Sequence, residues 1–172
     1  PKRFDDAVLS QLSKVNCQLF IVVAYGSILP KEVLAIPKHG ALNLHYSLLP
    51  KYRGASPIES EILNDDRETG VSILLLDEEM DHGPVVAQKR IQDSRFNIQE
   101  WPPKASELRL ASNKLGAELL IETMPRFVNG EVMAKPQNHA KATYTKKFTK
   151  ADGEINLEDN AYKNFLKIQA FE

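Results

Sequence analysis

The chain has 172 residues, of which 42% are hydrophobic, so it is long enough and apolar enough to bury the core of one ordinary domain. Its 22 basic and 23 acidic side chains leave a net charge of -1, which argues against a globally basic surface that binds nucleic acid without specificity. The single cysteine, Cys17, excludes an internal disulfide and fits a reducing cytoplasm, and no apolar run approaches the roughly 20 residues of a membrane span.

The predicted elements of the first half begin with a helix. Residues 7–15 show the apolar spacing of a helix, and residues 19–24 (LFIVVA) are typical of a strand that is buried on both faces. A short helix is predicted at residues 30–34, where a proline stands at the first position. Residues 41–45 (ALNLH) are predicted to form a second strand.

The remaining elements continue the alternation of helix and strand. A helix is predicted at residues 57–64, and strands are predicted at residues 70–77 and 85–91. A long helical pattern covers residues 105–128, and Pro125 in its last turn is predicted to end or kink the helix. The alternation predicts an α/β fold with a mostly parallel sheet flanked by helices.

The character of the chain changes after residue 130. Residues 135–153 are polar and rich in lysine, which indicates a linker that leaves the sheet domain, and residues 161–170 have the pattern of a further helix. The predicted organisation is therefore a catalytic domain at residues 1–134, followed at residues 135–172 by a linker and the start of another domain.

Three polar side chains are candidates for chemistry at one end of the sheet. Asn43 and His45 are two positions apart on a predicted strand, so they point to the same side. Asp81 follows the next predicted strand and reaches the same crevice if the two strands are neighbours. An amide that stabilises an oxyanion, an imidazole that exchanges a proton and a carboxylate beside them suit acyl transfer to an amine.

Taken one by one, the same residues have a structural interpretation. A single histidine after an apolar strand is more often structural, and an aspartate in an acidic loop is more often simply solvated. The acidic residues 77–81 lack the regular spacing of a calcium loop, and the four histidines show no HxxxH spacing. No metal site is therefore predicted.

Three ordered blocks of sequence resemble the methionyl-tRNA formyltransferases, which are folate-dependent formyltransferases. They are residues 22–30 (VVAYGSILP), residues 43–58 (NLHYSLLPKYRGASPI), and residues 68–73 (ETGVSI) leading to residues 80–85 (MDHGPV). The resemblance covers nearly the whole chain and weakens at residues 99–110. It implies a Rossmann-like formyltransferase fold.

The resemblance also implies roles for individual residues. Asn43, His45 and Asp81 match the catalytic trio of the family. The turn that lines the tetrahydrofolate site corresponds to Ser47, Leu48, Leu49 and Pro50, and the segment that packs near the pterin corresponds to Tyr25, Gly26, Ile28 and Leu29. Arg53 and Gly54 match a loop on the acceptor side.

The reaction that the resemblance implies is transfer of a formyl group from 10-formyltetrahydrofolate to the α-amine of methionyl-initiator tRNA. The amine would attack the formyl carbon, Asn43 and protonated His45 would hold the oxyanion, and Asp81 would help to move the amine proton. A monomeric, cytoplasmic enzyme without a metal is expected. In the family, the first strands lie upstream of Pro1 and a C-terminal β-barrel lies beyond Glu172, so the resemblance implies a fragment that lacks both.

Two departures from the family pattern stand beside the trio. Tyr46 replaces the small residue or proline that is common after the histidine, and His82 follows the aspartate where threonine or glycine is frequent. Related formyltransferases share much of this wording, so the acceptor stays open between methionyl-tRNA, an amino sugar and glycinamide ribonucleotide. A formyltetrahydrofolate hydrolase and an inactive folate-binding fragment are further alternatives.

Overall fold

A computed structural model describes residues 4–172. Its helices are α1 Asp6–Lys14, α2 Lys31–Leu34, α3 Pro57–Leu63, α4 Ala105–Val128 and α5 Ala161–Phe171. Its strands are β1 Phe20–Val23, β2 Ala41–His45, β3 Arg53–Gly54, β4 Gly70–Leu75, β5 Val85–Arg90 and β6 Tyr144–Thr145. Short 3₁₀ turns occupy Ile91–Asp93, His139–Lys141 and Lys150–Gly153. An α/β architecture is thereby confirmed, and each predicted helix and strand is present within a few residues of its expected bounds.

The main sheet has four strands in the order β1-β2-β4-β5, and it is mixed. Only β1 and β2 run parallel among these strands, whereas β2–β4 and β4–β5 are antiparallel. The prediction of a mostly parallel sheet is therefore wrong. The loop between β4 and β5 is too short for a crossover helix, and neighbouring strands joined by a short loop pair antiparallel.

Strand β1 lies at the edge of this sheet and is not buried on both faces, contrary to the prediction. Its residues alternate between half-buried and exposed, and Val23 keeps 44% of its surface accessible. The long helix α4 packs mainly on β4 and β5, which lie towards the opposite edge of the sheet from β1. An uninterrupted apolar run shows that a segment is a strand, but it does not show which faces the neighbouring elements cover.

The core lies between the sheet and helices α3, α4 and α5. Leu44 of β2, Ile62 of α3, Leu108 of α4 and Leu166 of α5 belong to one buried apolar cluster. Gly116 allows α4 to approach β2 closely, because a Cβ atom at this position would lie 2.6 Å from a methyl group of Leu44. The helix thereby supports the strand that carries Asn43 and His45.

Helix α4 continues past Pro125 to Val128, so it does not end at this proline. The other predicted outcome, a kink at Pro125, stays a prediction. Proline removes one backbone donor, and in the last turn this costs only one intrahelical hydrogen bond. The turn is closed by Asn129 N–H, which donates to the Pro125 carbonyl at 3.0 Å, and by Glu131 N–H, which donates to the Arg126 carbonyl at 2.8 Å.

The polar segment 135–153 lies against the sheet domain rather than leaving it as a linker. Strand β6 pairs in parallel with β3, and residue 135 forms a bridge with Val85 at the start of β5. Helix α5 contributes Leu166 and Ala170 to the common core. The domain division at residue 134 stays a prediction, although residues on both sides of it pack together. Within residues 4–172, no helix is long and apolar enough to cross a bilayer.

One carboxyl group is buried in helix α3. Glu61 is 1% exposed, and its Oε1 atom has no hydrogen-bond partner among residues 4–172. Burial, reinforced by the neighbouring Asp66 carboxylate and opposed by Lys51, raises the pKa of Glu61 well above its ordinary value. At a pH between the unfolded and the folded pKa of Glu61, its carboxyl group is therefore protonated in the folded protein and ionised in the unfolded chain.

We predict that Glu61→Gln stabilises the protein at pH 8 by about 1–3 kcal/mol, because the neutral amide avoids the cost of protonating a carboxylate that is ionised in the unfolded chain. Because the folded pKa is raised, the contribution of Glu61 to the free energy of unfolding is fully present below its unfolded pKa. It is lost as the pH rises towards the folded pKa. Urea unfolding followed by circular dichroism at pH 4 and pH 8 measures the effect.

The exposed Glu122 on α4 provides the control, since Glu122→Gln should change stability little at either pH. A gain from Glu61→Gln that is equal at pH 4 and pH 8 would contradict the raised pKa.

Candidate active site

A cavity of about 370 Å³ opens at one side of the sheet. Its walls come from the segment after β1, from β2, from the start of α3 and from the loop between β4 and β5. Eight of the residues predicted for the site line it: Tyr25, Gly26, Ile28, Leu29, Asn43, His45, Gly54 and Asp81. The volume and the mainly apolar walls are typical of a site for a small organic molecule.

Asn43, His45 and Asp81 meet in this cavity. The Asn43 amide nitrogen lies 3.5 Å from Oδ1 of Asp81, and His45 Nδ1 lies 3.6 Å from the same oxygen. His45 is 5% exposed, and the side chain of Asp81 is 11% exposed. The carboxylate is thus largely shielded from water and faces both an amide donor and an imidazole.

Asp81 reaches this position because the loop of residues 76–84 turns back along the sheet. Strand β4 is antiparallel to β2, so its last residue, Leu75, lies opposite Leu42 and away from His45. Asp81 itself has a left-handed backbone, with φ of 49°. Gly83 packs directly on β4, where an added Cβ atom would lie 1.9 Å from the Leu75 carbonyl oxygen. Only glycine fits this close return of the chain.

The imidazole of His45 is oriented by a backbone carbonyl. Its Nε2 atom lies 2.9 Å from the Tyr52 carbonyl oxygen, which can only accept a hydrogen bond. Nε2 therefore carries a proton, and Nδ1 is the atom that faces Asp81. When Nδ1 is also protonated, the ring is a cation paired with that carboxylate.

The carboxylate is held in turn by the backbone of β3. Gly54 N–H donates to Oδ2 of Asp81 at 2.7 Å, a charge-assisted bond. Gly54 has φ of 113°, and a Cβ atom there would lie 2.8 Å from the Thr145 carbonyl oxygen. The close pairing of β3 with β6 thus requires glycine at the position that binds Asp81.

The structure does not bring all predicted site residues into the cavity. Ser47, Leu48, Leu49 and Pro50 form a separate turn outside its lining. The Ser72 hydroxyl accepts from Leu49 N–H at 3.1 Å and donates to the Ser47 carbonyl at 2.6 Å, and Gln88 donates to the Leu49 carbonyl at 2.9 Å. These bonds tie the turn to β4 and β5, so its contacts are with the protein.

Arg53 is likewise absent from the cavity lining, although it was predicted on the acceptor side. It is 1% exposed, and its guanidinium contacts Gln137, His139 and Tyr144. The backbone N–H of Gly54 faces the site, whereas the Arg53 side chain is directed into the segment that follows α4.

Several residues that form the cavity or its support were not among the predicted site residues. Arg109 of α4 pairs with Glu59 of α3 in the cavity wall at 2.5 Å. Tyr46 also lines the cavity, and its partial burial raises the pKa of the phenol while Arg109 opposes the rise, so the hydroxyl stays a donor at neutral pH. Gln137 is buried below the loop that carries Asp81, and no periodic pattern in the polar segment distinguishes it from solvated neighbours.

The described part of the chain holds no group of three or more histidine, cysteine or acidic side chains placed to bind a metal ion. At the polar trio the cavity offers hydrogen-bond donors from Asn43 and His45 beside the Asp81 carboxylate, and the walls also carry the carboxylates of Glu59, Asp77 and Glu79. Such a set can stabilise negative charge on a carbonyl oxygen and accept a proton from an attacking nucleophile.

Known proteins resemble the chain in both sequence and fold. Residues 1–94 match the Formyl transferase family. A methionyl-tRNA formyltransferase of Thermodesulfovibrio yellowstonii is 44% identical over 168 residues, which cover 98% of this chain and 52% of that protein. One of Roseiflexus sp. is 42% identical over 170 residues, covering 98% of this chain and 50% of that protein. The chain thus spans about half the length of these curated relatives.

Solved structures share the fold at lower identity. A sugar N-formyltransferase of Shewanella sp. superposes with a TM-score of 0.75 at 19% identity, covering 96% of this chain and 64% of that one. HypX of Aquifex aeolicus, solved in complex with tetrahydrofolic acid, has a TM-score of 0.75 at 22% identity, covering 94% of this chain and 27% of that one.

We predict that neutral His45 carries its proton on Nε2, because the Tyr52 carbonyl accepts from that atom at 2.9 Å. Two-bond proton–nitrogen correlation spectra at pH 9, where an ordinary imidazole is neutral, distinguish the two tautomers. His82 provides an internal control: its Nδ1 lies 2.7 Å from Oδ2 of Asp77, so it should show the opposite tautomer. An Nδ1–H signature for His45 would contradict the geometry of the site.

Proposed function

The chain belongs to the Formyl transferase family, and on this premise we propose that it takes part in transferring a formyl group from 10-formyltetrahydrofolate to the α-amine of methionyl-initiator tRNA. The observation that carries the chemistry is the convergence of Asn43, His45 and Asp81 on one shielded cavity. The acceptor is supported by relatives, 44% and 42% identical over nearly the whole chain, which are named methionyl-tRNA formyltransferases.

The cavity fits the pterin end of a folate in size and in lining. The cavity, of about 370 Å³, lies between residues 25–29 and the loop that carries Asp81. The apolar side chains of Ile28 and Leu29 suit a flat heterocycle, and the polar trio lies on the neighbouring wall. When bound, the folate supplies an activated formyl carbon.

Asn43 and His45 are placed to stabilise charge on the formyl oxygen. The Asn43 amide has two N–H groups. One of them is directed to Asp81 at 3.5 Å, a long distance for a hydrogen bond, so it can also donate to a bound formyl oxygen. His45 offers Nδ1–H when the ring is protonated, since Nε2–H is already held by the Tyr52 carbonyl. Donors that are already oriented cost no reorganisation during the reaction.

Asp81 is placed to accept the proton that the amine loses when it attacks. Its Oδ2 is held by Gly54 N–H at 2.7 Å, so Oδ1 is the oxygen that faces Asn43 and His45. The carboxylate also stabilises the imidazolium, because a shielded ion pair is stronger than one in water. The Asp81 oxygen that accepts the proton then lies within 4 Å of the His45 Nδ1 atom that stabilises charge.

We propose that the enzyme acts in the cytoplasm and as a monomer. The single cysteine supports a reducing compartment. The monomeric state stays a prediction.

The acceptor is tested with the complete gene product that contains this chain, supplied with 10-formyltetrahydrofolate. Methionyl-initiator tRNA, a nucleotide-linked amino sugar and glycinamide ribonucleotide are offered in parallel. Formyl transfer to the tRNA is the expected result. Transfer to one of the other amines would keep the chemistry and replace the acceptor, and release of formate without any acceptor would establish a hydrolase instead.

We predict that Asp81→Asn lowers kcat by about 10²–10³-fold, because the amide cannot accept the amine proton. Binding of tetrahydrofolate, measured by fluorescence titration, should change by less than about fivefold, since the isosteric side chain keeps the bond from Gly54. Asp93→Asn in the exposed turn after β5 is the matched control and should leave kcat unchanged. A large loss of folate binding with unchanged kcat would refute the role of Asp81 in proton transfer.

A further inference from the structure

Gln137 uses its entire hydrogen-bonding capacity at the back of the site. Its Nε2 donates to the Asp81 carbonyl at 2.8 Å and to the Gly83 carbonyl at 2.7 Å. Its Oε1 accepts from Arg53 Nε at 3.2 Å and from Arg53 Nη2 at 2.7 Å. A guanidinium can only donate, so the oxygen of the amide must face Arg53 and the nitrogen must face the loop.

Arg53 holds this amide from a buried and rigid position. It is 1% exposed, and no carboxylate lies within ion-pair distance of it in residues 4–172. Its other partners are His139 Nδ1 at 2.9 Å and the Tyr144 hydroxyl at 3.4 Å. Its backbone N–H donates to the Thr143 carbonyl at 2.9 Å. A buried cation with neutral partners makes each hydrogen bond to it costly to lose.

The loop that carries Asp81 depends on these contacts for its shape. Residues 76–84 contain no helix or strand, and Asp81 has a left-handed φ of 49°, which is unfavourable for a residue with a side chain. Gln137 binds the backbone carbonyls on both sides of His82, and Gly54 N–H binds the Asp81 carboxylate. The backbone and the side chain of Asp81 are therefore held from two directions by groups outside the loop.

We propose that Gln137, held by Arg53, is a positioning residue of the formyl transfer reaction: it fixes the loop of residues 76–84 so that the Asp81 carboxylate faces Asn43 and His45. The inference rests on the proposed function. Gln137 and Arg53 contact no residue of the trio through its reacting atoms, so their effect is exerted through the position of Asp81. A displacement of about 1 Å in a catalytic group can cost about 10²-fold in rate.

The test is Gln137→Glu in the complete gene product. One carboxylate oxygen can pair with the buried Arg53 and compensate its charge, so the fold is retained. The other oxygen replaces the amide nitrogen and faces the carbonyls of Asp81 and Gly83, which repel it, so the hold on the loop is lost. We expect kcat to fall about 10–100-fold, with a smaller change in KM for the formyl donor, and the melting temperature to stay within about 3 °C.

The amide proton of Gly54 reports the position of Asp81 independently of activity. In the wild type it donates to the carboxylate at 2.7 Å and should resonate downfield, and in Gln137→Glu it should move upfield as the carboxylate withdraws. Asn138→Ala, at the exposed neighbouring position, is the control and should change neither kcat nor this resonance. If Gln137→Glu does not fold, Gln137→Asn carries the same comparison, because its neutral amide can still accept from Arg53 but is one methylene too short to reach the loop carbonyls as well.

An unchanged kcat together with an unchanged Gly54 resonance in the folded Gln137→Glu variant would overturn the inference. A wild-type protein that transfers no formyl group to any acceptor would refute the proposed function. If the Gly54 resonance still moved in that case, the hold of Gln137 on Asp81 would nevertheless be supported.

Discussion

The arrangement of the site depends on three consecutive residues, 52–54. Each of them holds a different side chain of the site or of its support. The carbonyl of Tyr52 orients His45, the side chain of Arg53 holds Gln137, and the N–H of Gly54 holds the Asp81 carboxylate. In two of these three contacts the segment contributes a backbone group, so the position of that group does not depend on a side-chain rotamer of the segment. Pairing of β3 with β6 fixes the backbone that makes them.

The segment is itself anchored to the protein at its start. Lys51 and the Tyr52 hydroxyl both donate to the Asp66 carboxylate, at 2.8 and 3.0 Å. Partial burial alone would raise the pKa of Asp66, but the hydrogen bonds from Lys51 and Tyr52 outweigh it and lower the pKa. The carboxylate therefore stays ionised at neutral pH and keeps both bonds. The charged and polar groups that hold the site are thus paired with partners of suitable chemistry, in contrast to Glu61 in the core.

Those features of the site that follow from local periodicity could be predicted from the sequence. Asn43 and His45 share one face because side chains alternate along a strand. Asp81 follows a strand next to β2, as expected, but it reaches them because the loop of residues 76–84 turns back along the sheet. The strand directions could not be predicted, since an apolar run has the same pattern in either direction. Strands β3 and β6 have two residues each and thus carry no periodicity, so the contacts of Arg53 and Gln137 had no signal in the sequence. The resemblance to known enzymes placed Ser47 to Pro50 at the folate, and this role stays a prediction; the hydrogen bonds of the turn to Ser72 and Gln88 could not be predicted from the sequence.

The pairing of β3 with β6 has a consequence for the order of folding during synthesis. The contacts between Arg53 and Tyr144 join residues 91 positions apart, whereas the hairpin of β4 and β5 closes only the loop of residues 76–84. Closure of long loops is slow because the chain entropy must be lost before the contact forms. On the ribosome, the sheet can therefore form while residues 135–145 are still being made, but Asp81 is locked in place only after those residues have emerged. The nascent chain consequently forms the sheet before the Asp81 carboxylate is fixed beside Asn43 and His45.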